Sequence, residues 1–154
     1  VPGIFSLESP YARIWRFAFA DLDGDGETEA VLQVIDVAGD MGGYLILREE
    51  DGAVYGYKSD YRTFEDLKMD GSFGYSSPTG TEWGVCTVRF TGDGCDMVPL
   101  FCGETGDQGE SVSYTVGGSP ASEAEYEAAA DRQRQKPDTV WYEFTGENVR
   151  SISE

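Results

Sequence analysis

The sequence predicts an α+β domain made mainly of antiparallel β-hairpins in a meander, with one C-terminal amphipathic helix at about residues 122–135 and a final strand after it. Three observations carry this expectation. Short runs rich in β-branched and aromatic residues recur between Gly- and Asp-rich turns; the connections between them are too short for repeated crossovers; and the period becomes helical only once, near the C-terminus. The organisation expected is a single domain over 1–154: a lead segment at 1–10, a β-rich core at 11–116, and the helix with the terminal strand at 117–154.

RIWRFAFA (13–20) alternates bulky apolar residues with smaller or polar ones, and AVLQVIDV (30–37) is rich in β-branched residues, so both read as strands. GYLILRE (43–49) and AVYGYKS (53–59) flank Glu50, Asp51 and Gly52, and an Asp-Gly pair between β-prone runs is a hairpin signal. These four strands are expected to form a meander. YRTFEDLKMDG (61–71) reads as a strand or one helical turn, and SFGYSSPTGTEWG (72–84) as an open loop. VCTVRF (85–90) and CDMVPLFC (95–102) make a second hairpin, in which Pro99 suits an edge strand. SVSYTV (111–116) is a further short strand.

In the helical run, Ser122 followed by Glu125 makes a capping box, acidic residues fill the first turn, and Arg132, Arg134 and Lys136 lie near the end. Pro137 stops the run, Val140 to Phe144 resume strand character, and the tail is left to pair at an edge or fray.

The 154 residues carry 11 Lys and Arg against 29 Asp and Glu, a net charge of −18. No face of such a chain is expected to hold enough positive potential to follow a phosphate backbone, which argues against nucleic acid as a partner, while the same field attracts cations. No apolar run approaches the roughly 18 residues that mark a membrane-spanning helix. The opening VPGIFSLESP has neither an initiator Met nor a signal-peptide pattern, which points to a chain whose leader or lipid anchor has been removed. Cys86, Cys95 and Cys102 are odd in number and match no zinc or redox spacing; a Cys86–Cys102 disulfide and a buried free thiol both fit.

The densest chemistry lies in FAFADLDGDGETEAVLQV (17–34), where four acidic side chains and then a fifth stand between two apolar runs. Two carboxylates about 5 Å apart repel by roughly 3 kcal/mol at an effective dielectric of 20, so an ion-free loop of this kind is expected to be strained or disordered. Read as a cation loop, Asp21, Asp23 and Asp25 take positions one, three and five, and Gly26 allows the sharp turn at six. Glu27 offers its carbonyl at seven, and Glu29 reaches position nine. An all-oxygen set of mixed carboxylates and carbonyls suits the flexible shell of calcium better than magnesium's strict octahedron. Leu32 replaces the bidentate Glu that closes an EF-hand, and the flanks are strands, so a sensor that opens helices is not expected.

FADLDGDGETEAVL instead resembles the strand-loop-strand calcium motif of FG-GAP and VCBS-type repeats. The resemblance implies ligand roles for Asp21, Asp23, Asp25, Glu27 and Glu29, with Glu29 standing where those repeats more often have Asp. The motif occurs once, so a propeller built from several such units would extend outside this chain. The broader stretch, with DGAVYGY and the SxxE helix after YTVGG, resembles secreted or lipid-anchored proteins of Gram-positive bacteria, which implies an extracellular or cell-surface address but no activity. FAFADLDGDG also resembles the first motif of haloacid-dehalogenase-type phosphatases, which would make Asp21 a nucleophile and Asp23 a general acid. Against that, Asp25 stands where the family has Thr or Val, and the helices needed between parallel strands are missing from the pattern.

The chain has no His, which removes the usual general base and every Ser-His or Cys-His pair. An enzyme is therefore not expected. Phe73, Tyr75 and Trp83 offer aromatic faces in a polar segment, a candidate surface for sugar or peptide, with core packing of Trp83 as the competing role. The acidic turns at Asp93 with Asp96, and at Glu104 with Asp107 and Glu110, lack ordered odd-position spacing and read as solvated turns rather than second cation sites. The function expected is a non-catalytic extracellular domain with a structural calcium loop; the alternative is a carbohydrate- or peptide-binding module using 73–83. The oligomeric state is left open.

Overall fold

In the computed structural model, which describes residues 12–152 except 37, 93, 107, 108 and 110, the chain forms two five-stranded antiparallel sheets and two short helices. The expected lead segment 1–10 lies outside the described residues. The first sheet contains β1 (Arg13–Ala20), β2 (Glu29–Ile35), β3 (Met41–Glu50) and β4 (Ala53–Ser59) in the expected meander, with a two-residue strand, β10 (Tyr142–Glu143), added beside β1. The second contains β5 (Phe73–Ser76), β6 (Glu82–Thr91), β7 (Gly94–Thr105), β8 (Val112–Val116) and β9 (Ser119–Ala121), also in chain order. The protein is mainly β rather than clearly α+β, because the single helix-rich region is short and the strands dominate.

One core joins the sheets. Ala18, Ala20, Val31, Tyr44 and Ile46 of the first sheet pack in the same cluster as Phe73, Tyr75, Cys86 and Val88 of the second, with Phe64 and Leu67 from the segment between them. Each large side chain buried in this way contributes roughly 1.5–3 kcal/mol. The alternation seen in β1 decides the faces: Ala18 and Ala20 point to this core, while Phe17 and Phe19 lie on the other face, where Phe17 stacks on Tyr142 with centroids 5.6 Å apart.

Several expectations are corrected. The segment 72–84 is not an open loop: Phe73–Ser76 pair with β6, and Phe73 stacks on Phe64 at 4.1 Å, which is why a Gly- and Ser-rich stretch becomes a strand. Pro99 lies in β7, an inner strand by order, but at the step in pairing between Val85 and Cys86 and before the residues Phe101–Thr105 that pair with β8. It therefore has a strand on one side only, and its missing N–H is tolerated as at an edge. Residues 61–71 form turns with two isolated bridges rather than a strand or a helical turn.

The helix α1 (Glu123–Arg134) starts at Ser122 with the capping box the sequence predicts, yet it buries only Ala129 and Gln133 and is polar over most of its surface. Its docking comes from Tyr126, which meets Phe101 and Tyr114. Up to residue 152 the tail is helical rather than paired at an edge. It turns at Thr145, whose hydroxyl accepts from Asn148 N–H at 3.1 Å, into α2 (Gly146–Ile152). Among the described residues no helix is long and apolar enough to cross a membrane. Cys86, Cys95 and Cys102 are free thiols, with Cys86 opposite Pro99 and Cys102 opposite Gly84.

Candidate metal centre

The pairing of Ala20 with Glu29 closes residues 21–28 into a turn at one end of the first sheet. Leu22 anchors that turn. It is 1% exposed in the shared core, and its carbonyl accepts from the Val88 N–H of β6 at 3.3 Å. Gly71 closes the back: a Cβ there would stand 2.0 Å from the Asp21 carbonyl oxygen, and its φ of +81° is in the left-handed region.

Within the turn the backbone orients the carboxylates. Asp21 Oδ1 accepts from Gly24 N–H at 2.7 Å and Oδ2 from Gly26 N–H at 2.9 Å; Asp23 Oδ1 accepts from Asp25 N–H and Asp25 Oδ1 from Glu27 N–H. Gly24 and Gly26 take φ of +79° and +93°, so the tight course needs glycine at both places. Glu29 enters from the strand side, 1% exposed, with Oε2 accepting from Leu22 N–H at 2.9 Å.

The outcome is a partial convergence of the predicted set. Asp21, Asp23 and Glu29 each present a carboxylate oxygen, and these oxygens lie within 4.8 Å of one another. Two oxygens bound at about 2.4 Å on opposite sides of one calcium ion would be about 4.8 Å apart, so oxygens no farther apart than this can reach one ion. Asp25 and Glu27 are not in that group; both are exposed, and Asp25 Oδ2 turns to Arg48.

Arg48 is the participant that sequence reasoning missed. Its Nη1 lies 2.8 Å from Asp23 Oδ2 and its Nη2 3.2 Å from Asp25 Oδ2, while the guanidinium sits 4.5 Å over the Phe90 ring. The available signal was the meander itself, since the register Ala30 to Leu47 places Arg48 beside the end of β2. The same register brings Glu49, Glu50 and Asp51 to the turn, where with Asp25, Glu27 and Glu29 they line a concavity of about 620 Å³. Burial pushes the Glu29 carboxyl up to about 7, with Asp23 and Asp25 adding to the rise and the Leu22 N–H and Arg48 opposing it.

The aromatic candidates are placed differently. Phe73 is 0% exposed and Tyr75 7%, so neither presents a ring to solvent in the way the sequence suggests. Tyr75 donates its hydroxyl to Glu82 at 2.6 Å, and Trp83 lies against Gly103, where a Cβ would meet the indole at 2.7 Å. Of the other acidic turns, Asp93, Asp107 and Glu110 lie outside the described residues, and Asp96 pairs loosely with Arg89 at 3.8 Å.

Fold and site together define a two-sheet, mainly β protein with an oxygen-rich turn between its first two strands. No protein-family model, no curated protein and no solved structure matches the chain.

Proposed function

We propose that residues 21–29 hold a calcium ion that locks the turn between β1 and β2, in a non-catalytic domain that works outside the cell. The observation that carries the reading is the convergence of Asp21, Asp23 and Glu29 oxygens within 4.8 Å, one of them on a carboxylate withdrawn from water. A buried carboxylate beside two others is unfavourable when charged, and a divalent cation relieves both the burial and the repulsion. Asp25 and the Glu27 carbonyl complete the set after a local adjustment of the turn, as the resemblance to the FG-GAP and VCBS-type loop implies. The address at a bacterial surface rests on the same resemblance. In an extracellular module an affinity on the order of 10⁻⁴ to 10⁻³ M suffices.

Calcium bound only by the folded chain adds stability by mass action, about 2.7 kcal/mol when the ion is at 100 times its dissociation constant. Thermal unfolding with calcium and with chelator measures this. The midpoint should rise in calcium for the native chain and not for Asp23→Ala. Equal midpoints of the native chain in calcium and chelator would remove the proposal.

A further inference from the structure

We infer that a second cleft, between β1 and the segments 64–67 and 138–141, binds a neutral sugar ring through Arg16 and the indoles of Trp15 and Trp141, with buried Gln33 orienting Arg16 from behind. The cleft has a volume of about 510 Å³ and is separate from the acidic turn, sharing no lining residue with its concavity.

Arg16 is the centre of the argument. It pairs with Gln33 across β1 and β2, and its Nε donates to Gln33 Oε1 at 2.5 Å. The guanidinium carbon lies 4.4 Å from the Trp141 ring centre and 5.0 Å from that of Trp15. In a chain of net charge −18, Arg16 forms no ion pair among the described residues. A guanidinium has five N–H donors; Gln33 takes one and the Tyr44 hydroxyl another, which leaves donors for a ligand. Gln33 is 1% exposed and donates in turn to Tyr44 OH at 3.2 Å, so a buried hydrogen-bonded chain fixes the direction in which Arg16 points.

The rest of the lining selects the ligand class. Trp15, 45% exposed, and Trp141 supply flat apolar surface, and Glu65, Asp66 and Asp138 supply acceptors. Asp66 and Asp138 already share Lys68, at 3.1 and 2.6 Å. An anion would meet three carboxylates against the Arg16 guanidinium and a Lys68 ammonium already shared by two of them, and a purely apolar ligand would desolvate Arg16 without giving it a partner. A neutral sugar fits both constraints, because its hydroxyls donate and accept while its C–H face packs on an indole.

Two of the three tryptophans line this cleft, so intrinsic fluorescence reports on it directly. The probes are the methyl glycosides and linear tetramers of glucose, xylose and N-acetylglucosamine, with galacturonic acid oligomers as the anionic comparison, each titrated to millimolar concentration. At least one neutral probe is expected to give a saturable change that persists in Trp83→Phe. Arg16→Met, which keeps the apolar stem, and Trp15→Ala, an exposed position, should each weaken that binding about tenfold or more, with far-ultraviolet circular dichroism and a cooperative thermal transition retained. Should one variant lose its native spectrum, the other decides. Absence of saturation with every neutral probe, saturation by the acidic oligomers alone, or undiminished binding in the correctly folded variant would overturn the inference.

Discussion

Arg48 reaches 25 residues back along the chain to hold Asp23 at 2.8 Å, and so places a fixed positive charge against the oxygens that would face the ion. The guanidinium supports the ion-free turn and at the same time competes with a cation for Asp23 and Asp25. Replacing it separates the two roles. Arg48→Met should lower stability in chelator by about 1–2 kcal/mol, between the values for exposed and buried pairs. It should also enlarge the rise in midpoint that calcium produces. Urea unfolding in chelator and thermal unfolding in calcium give the two quantities; a smaller calcium response in the variant would contradict the competition.

Glu29 offers a complementary test, because its charge and its hydrogen bond can be parted. Glu29→Gln keeps a carbonyl oxygen to accept from Leu22 N–H while removing a buried negative charge next to Asp23 and Asp25. In chelator the variant should melt at or above the native midpoint, and the calcium-dependent rise should disappear. Differential scanning calorimetry under both conditions compares these outcomes.

Gly71 ties the turn to the second half of the chain. A Cβ at this position would lie 2.0 Å from the Asp21 carbonyl oxygen and 2.9 Å from Leu22 Cα, so Gly71→Ala must push the turn away or distort its own segment. A loss of more than about 2 kcal/mol is expected, the sum of the overlap and the left-handed φ. Urea unfolding measures it, and a neutral effect would mean that the turn yields freely.

Lys68 is 3% exposed on its side chain and joins Asp66 to Asp138. The hydrogen bond to Asp138 raises the lysine above its ordinary value, and the same bond holds Asp138 below the usual carboxylate range. The carboxylate's contribution is therefore complete above the unfolded value of about 3.9 and is lost as pH falls through the lowered folded value. The lysine's is complete below about 10.4 and is lost as pH rises through its raised value. Lys68→Met should melt below the native chain at neutral pH, with the difference narrowing at the acid end; melting curves across that range show whether it does.

The elements that the sequence determined are those governed by local rules. The first four strands follow from β-prone runs separated by short turns, and α1 begins at Ser122 because Ser and Glu three residues apart satisfy each other's backbone donors. Asp21, Asp23 and Glu29 were legible for the same reason, since a turn with Gly24 and Gly26 at left-handed positions brings close residues together.

What tertiary structure decided depends on groups far apart in the chain. Phe73 lies in a strand, against its Gly- and Ser-rich neighbours, because Phe64 and the other sheet give its ring a place in the core. Arg48 and Glu49 to Asp51 stand at the acidic turn because β2 and β3 pair in one register, and a shift of one residue would turn Arg48 to the opposite face. Arg16 lies near Trp141 only after the C-terminal segment returns to β1 through β10. Local spacing names the atoms that can bind; long-range pairing chooses which charges accompany them.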